Sequence, residues 1–273
     1  MDLINQSIEN VDELAKICIN NNKNAVDNAS IEKIHPNIHT YYNSVNIFVG
    51  PQGSGKTYSA MTEIIKISKV DPYAHLLVYF SKEGANTYDP TVESLKILLD
   101  VDIVYVRYDE AVDFVKKLLA YKALYDEIKN EHLESKIEQS QIDELYKVLH
   151  INSLSSPILH TLFLFDDVSN NILFKNDSSY FNSLIAICRK IHASFFMTIQ
   201  YWKAVSTNIK SNVTTAFIFG RFSKQQFRYI CSQIATSIPF EMLYNQYVKL
   251  NSNDKLIINN RTNESDVVLY DNI

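Results

Sequence analysis

The sequence predicts an α/β domain with a mostly parallel central sheet flanked by helices on both faces. Three observations predict it. Short apolar runs of strand length alternate with amphipathic segments of helical period, the order that produces strand–helix–strand crossovers. Three of the five glycines fall within six residues, Gly50 to Gly55, between an apolar run and a helical stretch. A later apolar run, Leu162–Phe165, ends directly in two acids, Asp166 and Asp167.

The elements follow in chain order. Residues 1–27 place Ile8, Val11, Leu14, Ala15 and Cys18 at helical spacing, and residues 20–44 are polar and Asn-rich, a linker. The first core strand is 45–49, followed by a helix over 56–69 with Ala60, Ile64, Ile65 and Ile67 largely on one side. His75–Phe80 and Val101–Val106 read as the second and third strands. Residues 109–150 repeat at helical period, with Ala111, Phe114, Val115, Leu118 and Leu119 as the apolar stripe, and read as two helices broken near Asn130–Ser140. Thr161–Phe165, Ser194–Ile199 and Thr215–Phe219 give three more strands. Leu256–Ile258 and Val267–Tyr270 flank Asn259–Asp266 as a terminal hairpin. The expected organisation is a segment over 1–44, a core over 45–235 and an extension over 236–273 packed on the core.

The glycine cluster reads Gly50-Pro51-Gln52-Gly53-Ser54-Gly55-Lys56-Thr57 and matches the phosphate-binding P-loop spacing at every specified position. Glycines let consecutive backbone N–H groups turn inward around a phosphate with no Cβ in the way. Lys56 can set its ammonium against the β- and γ-phosphates, and Thr57 offers a hydroxyl to Mg²⁺. The helix that follows points its positive dipole end at the anion. The candidate nucleotide-binding residues are Gly50, Pro51, Gln52, Gly53, Ser54, Gly55, Lys56, Thr57 and Tyr58.

A strand that buries its side chains and ends in an acid delivers a carboxylate beside such a loop. Asp166 would hold the Mg²⁺ shell through water, and Asp167 would polarise an attacking water as general base. A helix N-cap or plain loop acid is the competing reading of Asp167. Gln200 ends the next strand, where a neutral amide can hydrogen-bond the γ-phosphate or the lytic water; the competing reading is a loop glutamine. Beside nucleotide hydrolysis, a small-molecule kinase and a nucleotide-gated switch remain open.

Net charge is −5, which argues against a protein that coats DNA generally. The distribution is uneven: Ser178 to Phe240 contains no Asp or Glu but carries Arg189, Lys190, Lys203, Lys210, Arg221, Lys224 and Arg228. A basic face on an acidic body fits local contact with a polyanion, with Lys203, Lys210 and Lys224 as candidate DNA contacts. Cys18, Cys188 and Cys231 have no zinc-like spacing and fit a reducing compartment. The apolar runs are too short to span a bilayer, and the start lacks the basic and apolar regions of a secretory leader.

Arg189-Lys190-Ile191-His192-Ala193-Ser194, the strand after it and Gln200 resemble the FtsK/HerA family of DNA-pumping ATPases. So do Ile209-Lys210-Ser211-Asn212, the strand Thr215–Phe219, and Ser223-Lys224 with Arg228. The Phe165-Asp166-Asp167 ending and the size look most like the viral genome-packaging branch found in poxviruses, other large DNA viruses and virophages. The resemblance spans about residues 45–235. It implies a P-loop NTPase fold of the RecA-like (ASCE) kind. It further implies an ATP- and Mg-dependent ring motor of about five or six identical subunits that pumps double-stranded DNA into a preformed capsid. A capsid vertex or portal component is the implied partner, and the host cytoplasm, at the viral factory or on the virion, the implied location. Carried over by position, Lys56 and Thr57 bind phosphate and Mg²⁺, Asp166 is the metal acid, Asp167 the catalytic acid and Gln200 the sensor. Arg189, eleven residues before Gln200, is the first candidate for an arginine supplied to a neighbouring subunit's site, followed by Arg221 and Arg228. Two departures stand out: Ala216 occupies a position where cellular relatives often carry Arg, and Asp167 stands where many P-loop enzymes use Glu.

Overall fold

Strand β1, Val45–Val49, is buried along its whole length, and the rest of the fold is arranged around it. The computed structural model describes residues 43–70, 75–82, 103–131, 137–156, 159–169, 172–175, 180–220, 222–234, 236–251 and 253–268. The helix expected in 1–27, most of the linker, and Arg221 lie outside the described residues.

After β1 come α1 (Lys56–Val70), β2 (His75–Ser81), β3 (Ile103–Arg107), α2 (Ala111–Glu131), α3 (Gln139–Leu149) and β4 (His160–Phe165). Then follow α4 (Ile172–Lys175), α5 (Tyr180–Ala186), β5 (Ala193–Ile199), a 3₁₀ turn (Trp202–Ala204), α6 (Thr207–Ser211) and β6 (Thr215–Phe219). The chain closes with α7 (Lys224–Gln233), α8 (Phe240–Tyr247), β7 (Lys255–Asn259) and β8 (Glu264–Val268). The eight strands form one sheet in the order β3-β2-β4-β5-β1-β6-β7-β8. The first six are mutually parallel, and β7 and β8 add antiparallel at the β6 edge. The expected mostly parallel sheet is the one observed.

The interior strands are apolar on both faces because helices cover both. Alternation sends Val45, Ile47, Val49, Phe163, Phe165, Phe195 and Met197 to one face. Phe48, Leu162, Leu164, Phe196 and Phe217 go to the other, against Ala60, Met61, Ile64 and Ile67 of α1. The first face holds an aromatic stack in which the rings of Phe80 and Phe165 lie 4.3 Å apart, with Phe181 edge-on to Phe165 at 5.1 Å. This packing fixes the ends of β2 and β4, from which the functional side chains project.

Helix α2 buries Ala111, Val115, Leu118, Tyr125 and Ile128. Lys122 stands in the same stripe, 7% exposed, because its stem lies along the apolar face while its Nζ donates to Thr161 Oγ1 at 2.8 Å and the Ile191 carbonyl at 3.1 Å. The terminal hairpin is tighter than the sequence suggests: Asn259 pairs with Glu264, so β8 begins three residues before Val267 and the turn is only 260–263. Asn263, at φ 55°, lets the chain reverse there.

Candidate nucleotide and metal site

The loop between β1 and α1 lies at the carboxyl edge of the parallel strands, where open α/β sheets bind ligands. Gly53 and Gly55 take φ of 74° and 81°, the left-handed region that glycine enters without strain. At Gly50 the reason is closeness: a Cβ would sit 2.7 Å from both Phe219 Cβ and Ser54 Oγ. The Gly50 N–H donates to the Ile199 carbonyl at 3.2 Å, which ties the loop to β5. Ser59 N–H donates to the Gly55 carbonyl at 2.8 Å and opens α1 directly behind the loop. Lys56 is 9% exposed and folds its ammonium onto the Pro51 carbonyl at 2.8 Å. Burial lowers the pKa of Lys56, while the nearby charges of Asp167 and Asp166 oppose that shift. Ser54 Oγ is buried with no hydrogen-bond partner, an unsatisfied polar atom in the loop.

Asp166 follows β4 and is held from several sides. Its Oδ1 accepts from Thr57 Oγ1 at 2.8 Å and Thr198 Oγ1 at 2.7 Å, and its Oδ2 accepts from the Tyr79 hydroxyl at 3.1 Å. Its N–H donates to the Phe80 carbonyl at 3.1 Å, and the Tyr108 hydroxyl donates to its carbonyl oxygen. Burial first, then the charges of Asp166 and Asp167, push the Tyr108 phenol well above its ordinary pKa, so it remains a protonated donor.

Asp167 has φ 48°, an uncommon conformation for a residue with a side chain, costing about 1–2 kcal/mol. Its N–H donates to Thr198 Oγ1 at 2.7 Å, so one hydroxyl accepts from Asp167 while donating to Asp166. The Gln200 side-chain amide donates to the two Asp167 oxygens at 3.2 and 3.4 Å. The Gln200 main-chain N–H is held by Ser169 Oγ at 2.8 Å. Because β5 lies between β1 and β4, Thr198 and Gln200 come down between the loop and the acid pair.

Thr57 and Asp166 present oxygen donors only, the set a hard cation such as Mg²⁺ prefers. Among the described residues no group of three or more His, Cys, Asp and Glu could hold a metal. Behind the loop, Lys255 of β7 donates to Ser59 Oγ at 2.5 Å and pairs with Glu63 Oε1 at 3.2 Å. Side-chain exposures of 9% and 0% make this a buried ion pair under α1.

The structure brings the 50–58 loop, Asp166, Asp167 and Gln200 together. Arg189 is exposed just before β5, at the end of the sheet remote from Gln200, so it does not reach the loop of its own chain. The seven residues of β5 separate the two by about 20 Å at strand rise. Lys203 and Lys224 are exposed, but Lys210 is 7% exposed and does not join them on an open surface. The reason is local: Lys210 sits in a one-turn helix beside the fully buried Ile209. Thr198, Tyr79, Tyr108 and Ser169 were not singled out from sequence. The one signal was Thr198 itself, the hydroxyl side chain within Phe195-Phe196-Met197-Thr198-Ile199.

Fold and loop together define the class: an α/β domain of the P-loop NTPase kind. The fold is similar to that of the genome packaging NTPase B204 of Sulfolobus turreted icosahedral virus 2 in complex with AMPPCP. The match has a TM-score of 0.51 and 13% identity over 82% of this chain and 96% of that one. B204 described as the DNA-packaging ATPase of Sulfolobus turreted icosahedral virus matches with a TM-score of 0.51 and 12% identity over 83% and 97% of the two chains. No family model and no curated protein matches the sequence. The fold expected from the resemblance is thus the fold found.

Proposed function

We propose that this chain is an ATP-hydrolysing motor subunit that moves double-stranded DNA into a viral capsid. The observation that carries the reading is the pairing of Asp167 with Gln200 beside the loop, on a fold shared with packaging NTPases. The loop N–H groups and Lys56 hold the β- and γ-phosphates. Thr57 and Asp166 hold Mg²⁺, which neutralises phosphate charge when bound. Asp167 takes the proton of the attacking water, a contribution of about 10²–10⁴-fold. Gln200, on the strand between loop and acids, orients that water and senses the γ-phosphate. In a ring, an arginine from the neighbouring subunit stabilises the charge that develops on transfer, with Arg189 the first candidate.

The test is ATP hydrolysis with and without long duplex DNA. Stimulation by duplex, loss of nucleotide binding in Lys56→Ala, and Asp167→Asn that binds ATP but turns over at least about 100-fold more slowly are the expected results. Phosphate passed to a small-molecule acceptor with indifference to DNA points instead to a kinase. ATP binding without any turnover points to a nucleotide-gated switch.

A further inference from the structure

The fold divides the acid-free, basic stretch into two groups. Arg189 and Lys190 lead into β5 at the sheet end remote from the loop. Lys203, Lys224 and Arg228 follow the carboxyl ends of β5 and β6, at the same edge as Gln200, and all three are exposed.

Each of these three cations lies against an aromatic ring. Lys203 Nζ is 5.7 Å from the Tyr229 ring centroid, Lys224 Nζ 4.6 Å from Tyr244, and Arg228 Cζ 4.6 Å from Phe240. Two of the rings form a connected platform: Phe240 stacks on Tyr244 at 5.6 Å, and the buried Phe227 touches both at 5.9 and 6.0 Å, while Tyr229, under Lys203, stands on the same helix α7 as Phe227. Among the described residues, the carboxylate paired with any of the three is Glu241, 3.7 Å from Arg228, in a pair exposed on both sides. Among the described residues, Lys203 and Lys224 form no ion pair.

A cation seated on a ring keeps its full charge and has already lost side-chain freedom. Three such cations on one strip repel one another and are relieved by a polyanion that meets them together. The occupied ring faces have a second consequence. Single-strand binders use open aromatic faces to stack bases, and here the cations cover those faces. What the strip offers is sequence-independent contact with a phosphate backbone.

We infer that Lys203, Lys224 and Arg228, each seated on an aromatic ring, form the surface that grips the phosphate backbone of duplex DNA. The inference rests on the motor reading above and adds a route from the DNA to the nucleotide. Lys203 lies in the 3₁₀ turn Trp202–Ala204, which Tyr201 alone separates from Gln200. Trp202 and Ala204 on either side of it are 2% and 0% exposed, so the turn is anchored in the core. Load on Lys203 is therefore passed through the buried Trp202 and the exposed Tyr201, two residues, to Gln200, which donates to Asp167.

The experiment measures binding of a fluorescent duplex across a salt series for the full chain and for Lys203→Gln/Lys224→Gln. Two lost phosphate contacts lower the steepness of log affinity against log salt by about 1.8, at about 0.9 per contact. Lys203→Arg/Lys224→Arg restores it, which separates charge from a packing defect. A wild-type chain that binds duplex with a slope unchanged in the Gln variant overturns this surface and leaves the motor reading standing. A wild-type chain that binds no duplex under any nucleotide condition overturns the motor reading itself. Stronger Lys203- and Lys224-dependent binding to a single strand, or to phosphatidylserine vesicles, at equal anion concentration also overturns the inference.

Discussion

Replacing Lys255 with methionine strips the charge partner from a carboxylate that solvent does not reach. Glu63 is 0% exposed and 3.2 Å from Lys255 Nζ. At an effective dielectric of about 20 that separation gives a gross attraction of about 5 kcal/mol, largely offset by the cost of taking both ions out of water. The intact pair therefore adds little net stability over an apolar pair, but breaking it takes the Lys255 ammonium from a carboxylate that stays buried. The expected cost is about 3–5 kcal/mol, a fall of about two to three and a half orders of magnitude in the folding equilibrium. For a chain of this size it appears as a melting temperature lower by about 6–20 °C. Because Ser59 and Glu63 lie on the helix that starts at the glycine loop, nucleotide affinity falls along with stability. The assay is thermal melting with and without ATP analogue, for Lys255→Met and for Lys255→Met/Glu63→Leu. The double variant, which removes both charges, is expected to recover most of the loss. A single variant that melts within about 2 °C of wild type, or a double variant no better than the single, refutes the argument from a buried carboxylate deprived of its ion pair.

Thr198→Val removes the hydroxyl that joins the two acids, so turnover falls at least about tenfold and the Mg²⁺ requirement rises, while Thr198→Ser restores both; titration of hydrolysis against Mg²⁺ reads the split. Lys122 is held by burial at about 8 in the folded chain against about 10.4 when unfolded. The folded chain thus binds fewer protons between those values, and stability rises with pH across that window. Melting curves from pH 8 to pH 10 are expected to show this rise in wild type and a smaller one in Lys122→Met. Arg189→Ala mixed with Lys56→Ala subunits is expected to recover partial hydrolysis, each mutant supplying what the other lacks. No recovery at any ratio removes Arg189 from the neighbouring site.

The parts of the fold and site legible in the sequence were those written in consecutive residues. Phe48-Val49 before Gly50, and Leu164-Phe165 before Asp166, announce a strand delivering a loop and a strand delivering an acid. Gln200 could be read the same way, from the apolar run that it ends. Thr198 and Tyr79 could not, because their contact with Asp166 exists only once β2, β4 and β5 lie side by side. Lys255 and Glu63 are 192 residues apart, and nothing local to either marks them as partners. Lys203 and Lys210 look alike in sequence, both cations in an acid-free stretch, yet one is exposed and the other buried beside Ile209. Arg189 and Gln200 look close in sequence, and the intervening strand places them at opposite ends of the sheet.

The position of β1 in the middle of the sheet has a consequence for how the molecule is made. This strand is synthesised first among the core strands, yet its hydrogen-bonding neighbours β5 and β6 arrive much later; pairings at its base join residues 150 and 169 positions apart. Closing such long loops makes folding slow relative to domains built from local contacts. The glycine loop leans on Ile199 and Phe219, so a nascent chain that has displayed Gly50–Thr57 still lacks the floor of the pocket. A product truncated before β5 and β6 therefore carries the glycine motif without the two strands on which it is built.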